Sequence, residues 1–169
     1  AGTLDPLATG LVIVCTGKAT KSMTEFQDLE KEYVATIKLG DTTPSFDLET
    51  DIDNSYATDH ITKGKVEEAL QSFLGEIDQI PPLFSAKYVN GTRAYELARK
   101  GEDVELKPNR VKIVSIELIS FELPFVTLRI VCSKGTYIRS LARDIGLALN
   151  SGAHLIELRR TKIGTFTVG

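Results

Sequence analysis

Residues 110–149, RVKIVSIELISFELPFVTLRIVCSKGTYIRSLARDIGLAL, decide the fold. Two runs rich in β-branched residues, Arg110–Glu122 and Phe125–Ser133, read as long strands broken at Pro124, which has no N–H to give to a ladder. The period then changes. From Tyr137 to Leu149, Ile138, Leu141, Ala142, Ile145 and Leu149 recur at helical spacing and form one apolar stripe. Working outward, Lys31–Leu39 alternates, with Tyr33, Ala35, Ile37 and Leu39 on one face of a half-buried strand. Leu11–Cys15 reads as a short buried strand and Lys18–Glu30 as a helix. Gly40–His60 is acidic, poor in apolar residues and reads as a long loop. Lys65–Leu74 is an amphipathic helix stopped by Gly75, with Val66, Ala69, Leu70, Phe73 and Leu74 on its apolar face. Ile80-Pro81-Pro82 is an extended connector. Arg93–Lys100 reads as a short helix closed by Gly101, and Leu155–Leu158 and Gly164–Val168 as short closing strands. Strands and helices alternate irregularly and several neighbouring strands could be antiparallel, so the class is α+β or mixed α/β, with one central sheet.

At 169 residues, with 42% hydrophobic and 25% charged residues, the composition is that of a globular chain and excludes disorder and collagen-like repeats. No apolar run approaches the roughly 18–20 residues that span a bilayer, so no membrane is expected. Cys15 and Cys132 lie in apolar runs and read as buried thiols, pointing to a reducing, cytoplasmic compartment. Two distant histidines and no Cys-x-x-Cys count against a structural zinc site. Charge is divided unevenly. Residues 1–86 hold six Lys/Arg and fifteen Asp/Glu, a net of −9, while residues 87–169 hold fourteen and eight, a net of +6. The basic half can face a polyanion while the acidic half faces away; two solvated faces of mixed charge are the plainer alternative.

Three segments carry candidate chemistry. In Gly2-Thr3-Leu4-Asp5-Pro6-Leu7-Ala8-Thr9-Gly10, the proline holds Asp5 extended and presents its carboxylate on a stiff loop; an ordinary turn opener reads the same way. Because termini fray, a site in the first ten residues also suggests that the natural protein extends upstream of Ala1. Lys134-Gly135-Thr136-Tyr137-Ile138-Arg139 joins a strand to a glycine-led helix start with basic neighbours, a natural place for an anion. Arg139 and Arg143 share a helix face opposite the apolar stripe. One of them could pair with an acid from elsewhere, and Arg143 reads as solvated. Arg159 and Arg160 are adjacent in a strand, so at most one of them faces a given ligand.

Six blocks in this order resemble the TruB-type tRNA pseudouridine synthases, in their bacterial stand-alone branch: GTLDPLATG, KEYVATIKLG, QIPPLFSAK, GTRAYELARKG, CSKGTYIRSLARDIG and LRRTKIGTF. The resemblance implies the α+β pseudouridine synthase catalytic fold, a central mixed, mainly antiparallel sheet flanked by helices, over residues 1–169, with a C-terminal RNA-binding extension beyond them. It makes Asp5 the catalytic aspartate and Arg139 its ion-pair partner. Tyr33 becomes the residue packing on the target base and implicated in proton removal from carbon 5. Tyr137 and Leu158 become substrate contacts, Leu158 lining the base pocket, and Lys21 a lysine near the site. Thr43, Ser45 and Asp47 match a Thr-rich loop ending in aspartate, with serine where threonine is usual. The chain departs from the pattern at Ser85-Ala86-Lys87-Tyr88, where tyrosine takes the usual lysine position and Lys87 comes one place early. The histidine that usually precedes the first block would lie before Ala1.

The implied reaction is isomerisation of uridine 55 in the TΨC loop of tRNA, with no metal, no cofactor and no obligate protein partner, by a cytoplasmic monomer. The residue types suit it. A carboxylate serves as nucleophile or cation stabiliser, an arginine favours its charged form, an aromatic holds the detached base, and a pocket receives a flipped nucleotide. The alternatives are a guide-RNA-dependent, dyskerin-like synthase, a non-catalytic RNA-binding module, and an unrelated hydrolase. The last would want a second catalytic carboxylate, and the sequence identifies none.

Overall fold

A computed structural model of the chain describes residues 4–82, 88–89, 92–93 and 107–168. In chain order the elements are β1 (Thr9–Gly10), a 3-10 helix (Gly17–Ser22) running into α1 (Met23–Asp28), β2 (Lys31–Leu39), β3 (Asp41–Thr42), β4 (Asn54–Ser55), α2 (Lys63–Gln71), β5 (Gly75–Gln79), β6 (Tyr88–Val89), β7 (Thr92–Arg93), β8 (Asn109–Glu122), β9 (Phe125–Cys132), α3 (Ile138–Ala148), β10 (Ala153–Ile163) and β11 (Phe166–Thr167). The central sheet runs β1-β10-β2-β9-β8-β5, with β11 attached to β10. Among the described strands only the β1–β10 pairing is parallel. The fold is α+β with a mainly antiparallel sheet, as the family resemblance implies.

β2 lies mid-sheet between β9 and β10, and its Ala35, Ile37 and Leu39 are each 1% exposed. Against them pack Val126, Leu128 and Ile130 of β9, Leu155 and Leu158 of β10, and the Ile138–Leu149 stripe of α3. Each of the Val, Leu and Ile side chains contributes roughly 1.5–3 kcal/mol on burial. α2 adds Val66 and Leu70 to the same core. The Thr62 hydroxyl accepts the Lys65 N–H at 3.2 Å and caps the helix start.

Several expectations are corrected. Leu11–Cys15 is not a buried strand: only Thr9–Gly10 pairs with β10, and the chain then leaves the sheet with Val12 and Val14 exposed and Cys15 half-buried. Lys18–Glu30 is helical in two pieces, because Leu29 is extended and ends α1 after six residues. Leu74 is exposed, since α2 stops at Gln71 and Gly75, at φ +89°, turns the chain into a strand β5 that sequence reading overlooked. Leu155–Leu158 is part of one eleven-residue strand, held by partners on both sides. The region read as a Gly40–His60 loop contains the β3–β4 ribbon and a buried polar knot. Thr43, Ser45 and Asp47 are almost fully buried and satisfy one another. Ser45 Oγ donates to Asp47 Oδ1 at 2.6 Å, and Thr43 Oγ1 donates to the Asp47 carbonyl at 2.6 Å. The expected helix Arg93–Lys100 and the Ser85–Lys87 departure lie outside the described residues, apart from Arg93 in β7.

Candidate active site

Asp5 opens a tight turn in which the Ala8 N–H donates to the Asp5 carbonyl at 2.9 Å, with Pro6 supplying the preset φ of the second position. The same residue presents its carboxylate to Arg139. Nε donates to Oδ2 at 3.0 Å and a terminal nitrogen donates to Oδ1 at 3.1 Å, a two-pronged pair that fixes the carboxylate's plane. Arg139 is 2% exposed and Asp5 about a quarter exposed, so the carboxylate is the open partner of the pair and the guanidinium the buried one. A second terminal nitrogen of Arg139 reaches the Ser45 carbonyl at 3.4 Å, which ties the polar knot to the pair.

The loop is held from below by β10. The Leu11 N–H donates to the Arg160 carbonyl, and Arg160 Nε donates to the Leu11 carbonyl, both at 2.9 Å. Gly10 sits at φ +109°, where a Cβ would lie 2.1 Å from the Arg160 carbonyl oxygen. Here glycine is a geometric requirement.

Asp5 forms part of the wall of an open cavity of about 680 Å³, shared with Tyr33, Tyr137, Leu158, Arg160 and Lys31. Tyr33 and Arg160 are register partners across β2 and β10, which sets the guanidinium near the tyrosine hydroxyl, where it favours the ionised form. Burial pushes the Tyr33 hydroxyl up to about 12 despite Arg160, so the ring is neutral at physiological pH. Burial likewise raises Asp5 above the ordinary carboxylate value, and Arg139 pulls it back. Burial, then the nearby Arg160, lowers Lys31. Among the described residues, seven charged side chains line the cavity: Lys31, Arg110, Lys134, Arg139 and Arg160 against Asp5 and Asp28. The surplus is positive, suited to a phosphate-bearing substrate.

A family model described as TruB family pseudouridylate synthase (N terminal domain) matches residues 1–138, and one described as tRNA pseudouridylate synthase B C-terminal domain matches residues 139–169. The chain belongs to the TruB family of pseudouridylate synthases. It is 65% identical over 168 residues to the tRNA pseudouridine synthase B of Parabacteroides distasonis, covering 99% of this chain and 72% of that protein. It is 66% identical over 164 residues to the protein of the same name from Phocaeicola vulgatus, covering 97% and 70%. Among solved structures it resembles a chain of a Cbf5-Nop10-Gar1 complex, with a TM-score of 0.73 and 33% identity over 99% of this chain and 40% of that one. It also resembles a chain of an H/ACA RNP bound to a substrate RNA containing 2'-deoxyuridine, with a TM-score of 0.69 and 31% identity over 99% and 39%. The chain thus spans about two-fifths of those solved chains. The TruB family is one of isomerases.

In this TruB-family chain the fold brings Asp5, Tyr33, Tyr137, Arg139 and Leu158 to one cavity. Lys21 is not among the lining residues; it is exposed in the 3-10 helix. Arg139 does not lie on a solvated face, because the Asp5 loop and the Ser45 carbonyl cover that side of α3. Arg143 is not a solvated arginine either. It lies over the Phe46 ring at 4.7 Å and pairs with Asp144 at 2.9 Å. Arg159 and Arg160 do face opposite ways: Arg160 is 1% exposed in the cavity wall, and Arg159 is exposed beside Thr9. Sequence reasoning did not single out Lys31 or Gln79. For Gln79 a signal existed, since the two-residue period of GEIDQ puts it on the same face as Ile77, and an amide on an inward face needs a partner.

Proposed function

We propose that this chain converts uridine to pseudouridine in the TΨC loop of tRNA, at position 55, with Asp5 as the catalytic carboxylate and the target base flipped into the cavity. One observation carries the reading: an acid clasped on both oxygens by a buried arginine, at the wall of a cavity lined by a tyrosine and a leucine. The bond between the sugar's anomeric carbon and N1 breaks, the uracil turns, and the same carbon bonds to C5. C5 loses its proton and N1 gains one, so atoms and electrons balance. Arg139 keeps Asp5 ionised and aimed, while burial makes the carboxylate more basic than in water. Tyr33 stacks on the uracil and Leu158 lines the opposite side. With its hydroxyl neutral, Tyr33 takes the C5 proton only while passing on its own, and Arg160 stabilises the charge that passes through. The reaction has no redox step, and we read the chain as acting on tRNA as a cytoplasmic monomer without metal, cofactor or obligate protein partner.

The test is tritium release from an unmodified tRNA transcript carrying 5-tritiated uridine. The wild-type chain releases tritium and Asp5→Asn binds the transcript without releasing it; turnover by Asp5→Asn within tenfold of wild type sinks the role of Asp5. A second reading is a guide-RNA-dependent synthase, kept because the solved neighbours belong to multi-component assemblies, a Cbf5-Nop10-Gar1 complex and an H/ACA RNP. Release with no guide RNA and no partner protein in the reaction decides against it.

A further inference from the structure

Gln79, the last residue of β5, has a fully buried side chain. Both ends of its amide engage the backbone of one residue 58 positions away. Nε2 donates to the Tyr137 carbonyl at 3.0 Å, and the Tyr137 N–H donates to Oε1 at 2.8 Å. Tyr137 precedes the first residue of α3, with extended φ −98° and ψ 111° and no side-chain capping bond of its own. Its carbonyl also accepts the Leu141 N–H at 3.1 Å, the first bond of the helix. The next residue reinforces the grip: the Ile80 carbonyl accepts from Ser140 Oγ at 2.7 Å and from Arg143 at 3.3 Å. Four hydrogen bonds from two consecutive residues therefore hold the start of α3, and Arg139 is the second residue of that helix.

We propose that Gln79 is a positioning residue for the Asp5–Arg139 pair: its amide clamps Tyr137, and so sets the direction in which α3 delivers the Arg139 guanidinium. The proposal rests on the reading of Asp5 as the catalytic carboxylate. The physical demand is specific. A two-pronged pair tolerates little rotation of either partner, and the long arginine side chain magnifies any tilt of the turn that carries it. Only a side chain with one donor and one acceptor at fixed separation can close both bonds on a single residue's backbone, which glutamine does here as a neutral group. An ionised glutamate keeps the acceptor for the N–H and loses the donor, while methionine, similar in length, loses both.

The experiment compares the wild-type chain with Gln79→Met and Gln79→Glu. Three quantities are read: single-turnover tritium release at saturating enzyme as a function of pH, transcript binding, and the NMR signal of the Arg139 Nε–H. In Gln79→Met we expect a rate about a hundredfold lower, the order that a 1 Å misplacement costs. Binding stays within threefold, the acid limb of the pH profile moves to higher pH as Asp5 loses support, and the Nε–H signal shifts or broadens. Gln79→Glu lies between Gln79→Met and wild type. A purely structural role lowers the folded fraction and leaves the acid limb and the Arg139 signal where they are, and that result overturns the proposal. If Gln79→Met does not fold, Gln79→Glu is judged on the same two readouts. If the wild-type chain releases no tritium, the proposed function fails while the Arg139 signal still judges the clamp.

Discussion

Asp5 is pulled in two directions, and the balance sets its pH behaviour. Burial raises its pKa above the usual 3.8, and Arg139 opposes the rise. The folded chain therefore holds this proton more tightly than the unfolded chain, so ionising Asp5 costs stability. That cost is absent below the ordinary value and complete above the raised one. In the proposed reaction turnover needs the ionised form, so the single-turnover rate should fall as pH drops through the raised value, at a pH above 3.8. Arg139→Ala removes the opposing charge and moves the limb higher still; a limb left in place shows that Arg139 does not support the carboxylate. Asp5→Ala takes the carboxylate from a guanidinium that is 2% exposed and keeps the Ser45 carbonyl, and chemical denaturation should show a loss of up to about 3 kcal/mol, at the low end for a buried pair because Asp5 is partly exposed. At Tyr33 the ring and the hydroxyl separate. On the proposed role Tyr33→Phe should keep fold and transcript affinity but stall after glycosidic cleavage, whereas Tyr33→Leu should also lose stacking worth ~1–3 kcal/mol of binding. Normal turnover by Tyr33→Phe returns Tyr33 to a packing role.

Among the elements, β10 does the most to build the site. On one side it pairs with β2, bringing Arg160 opposite Tyr33 and Leu158 opposite Ala35. On the other it pairs with two residues of β1 and anchors the Asp5 loop. Irregularities in its register with β2, between Leu155 and Glu157 and between Arg160 and Lys162, bracket the stretch that carries Leu158 and Arg160. Gly10→Ala tests this anchor. The substitution meets the Arg160 backbone at 2.1 Å in a left-handed conformation, so it should cost at least ~2 kcal/mol in thermal or denaturant unfolding. It should also loosen the Asp5 turn, with turnover falling further than transcript binding. Stability within about 0.5 kcal/mol of wild type, the range of a neutral surface change, contradicts the anchoring role of β1.

Across the whole molecule, the basic second half of the chain supplies four of the five cationic residues described in the cavity wall, and β2 supplies the fifth, Lys31. Lys134 and Arg110 stand at the open side, each paired with a carboxylate, Lys134 with Asp28 at 2.8 Å and Arg110 with Asp78 at 3.2 Å. Charge reversal at both should weaken transcript binding and flatten its logarithmic salt dependence by roughly 0.7–0.9 for each phosphate no longer neutralised. Arg159, on the opposite face of β10, should contribute less. Equal effects from Arg159→Glu and Lys134→Glu would place the RNA path elsewhere. Among the described residues no group of metal-ligating side chains is assembled, and no helix is long and apolar enough to cross a membrane. With pre-folded transcript, turnover should survive EDTA; strict dependence on one divalent ion contradicts a metal-free reaction.

The sequence alone determined β2, β8, β9 and the stripe of α3, because each has a single buried face whose period is written in consecutive residues. It also determined the stiff Asp5 turn, since a proline acts on its immediate neighbours. Resemblance added which carboxylate and which arginine to watch. Only the tertiary structure decided that Arg139 is buried, that Arg160 stands against Tyr33, and that Gln79 holds Tyr137. It alone showed Thr43, Ser45 and Asp47 folding into a knot of mutually satisfied polar groups, and β10 running unbroken from Ala153 to Ile163. The physical reason is common to all of these. A buried charge or amide is tolerated only where a partner meets it, and here the partners lie 134 residues from Arg139 and 58 from Gln79. No local period encodes such a meeting; the packing of the sheet and α3 brings the two sides together.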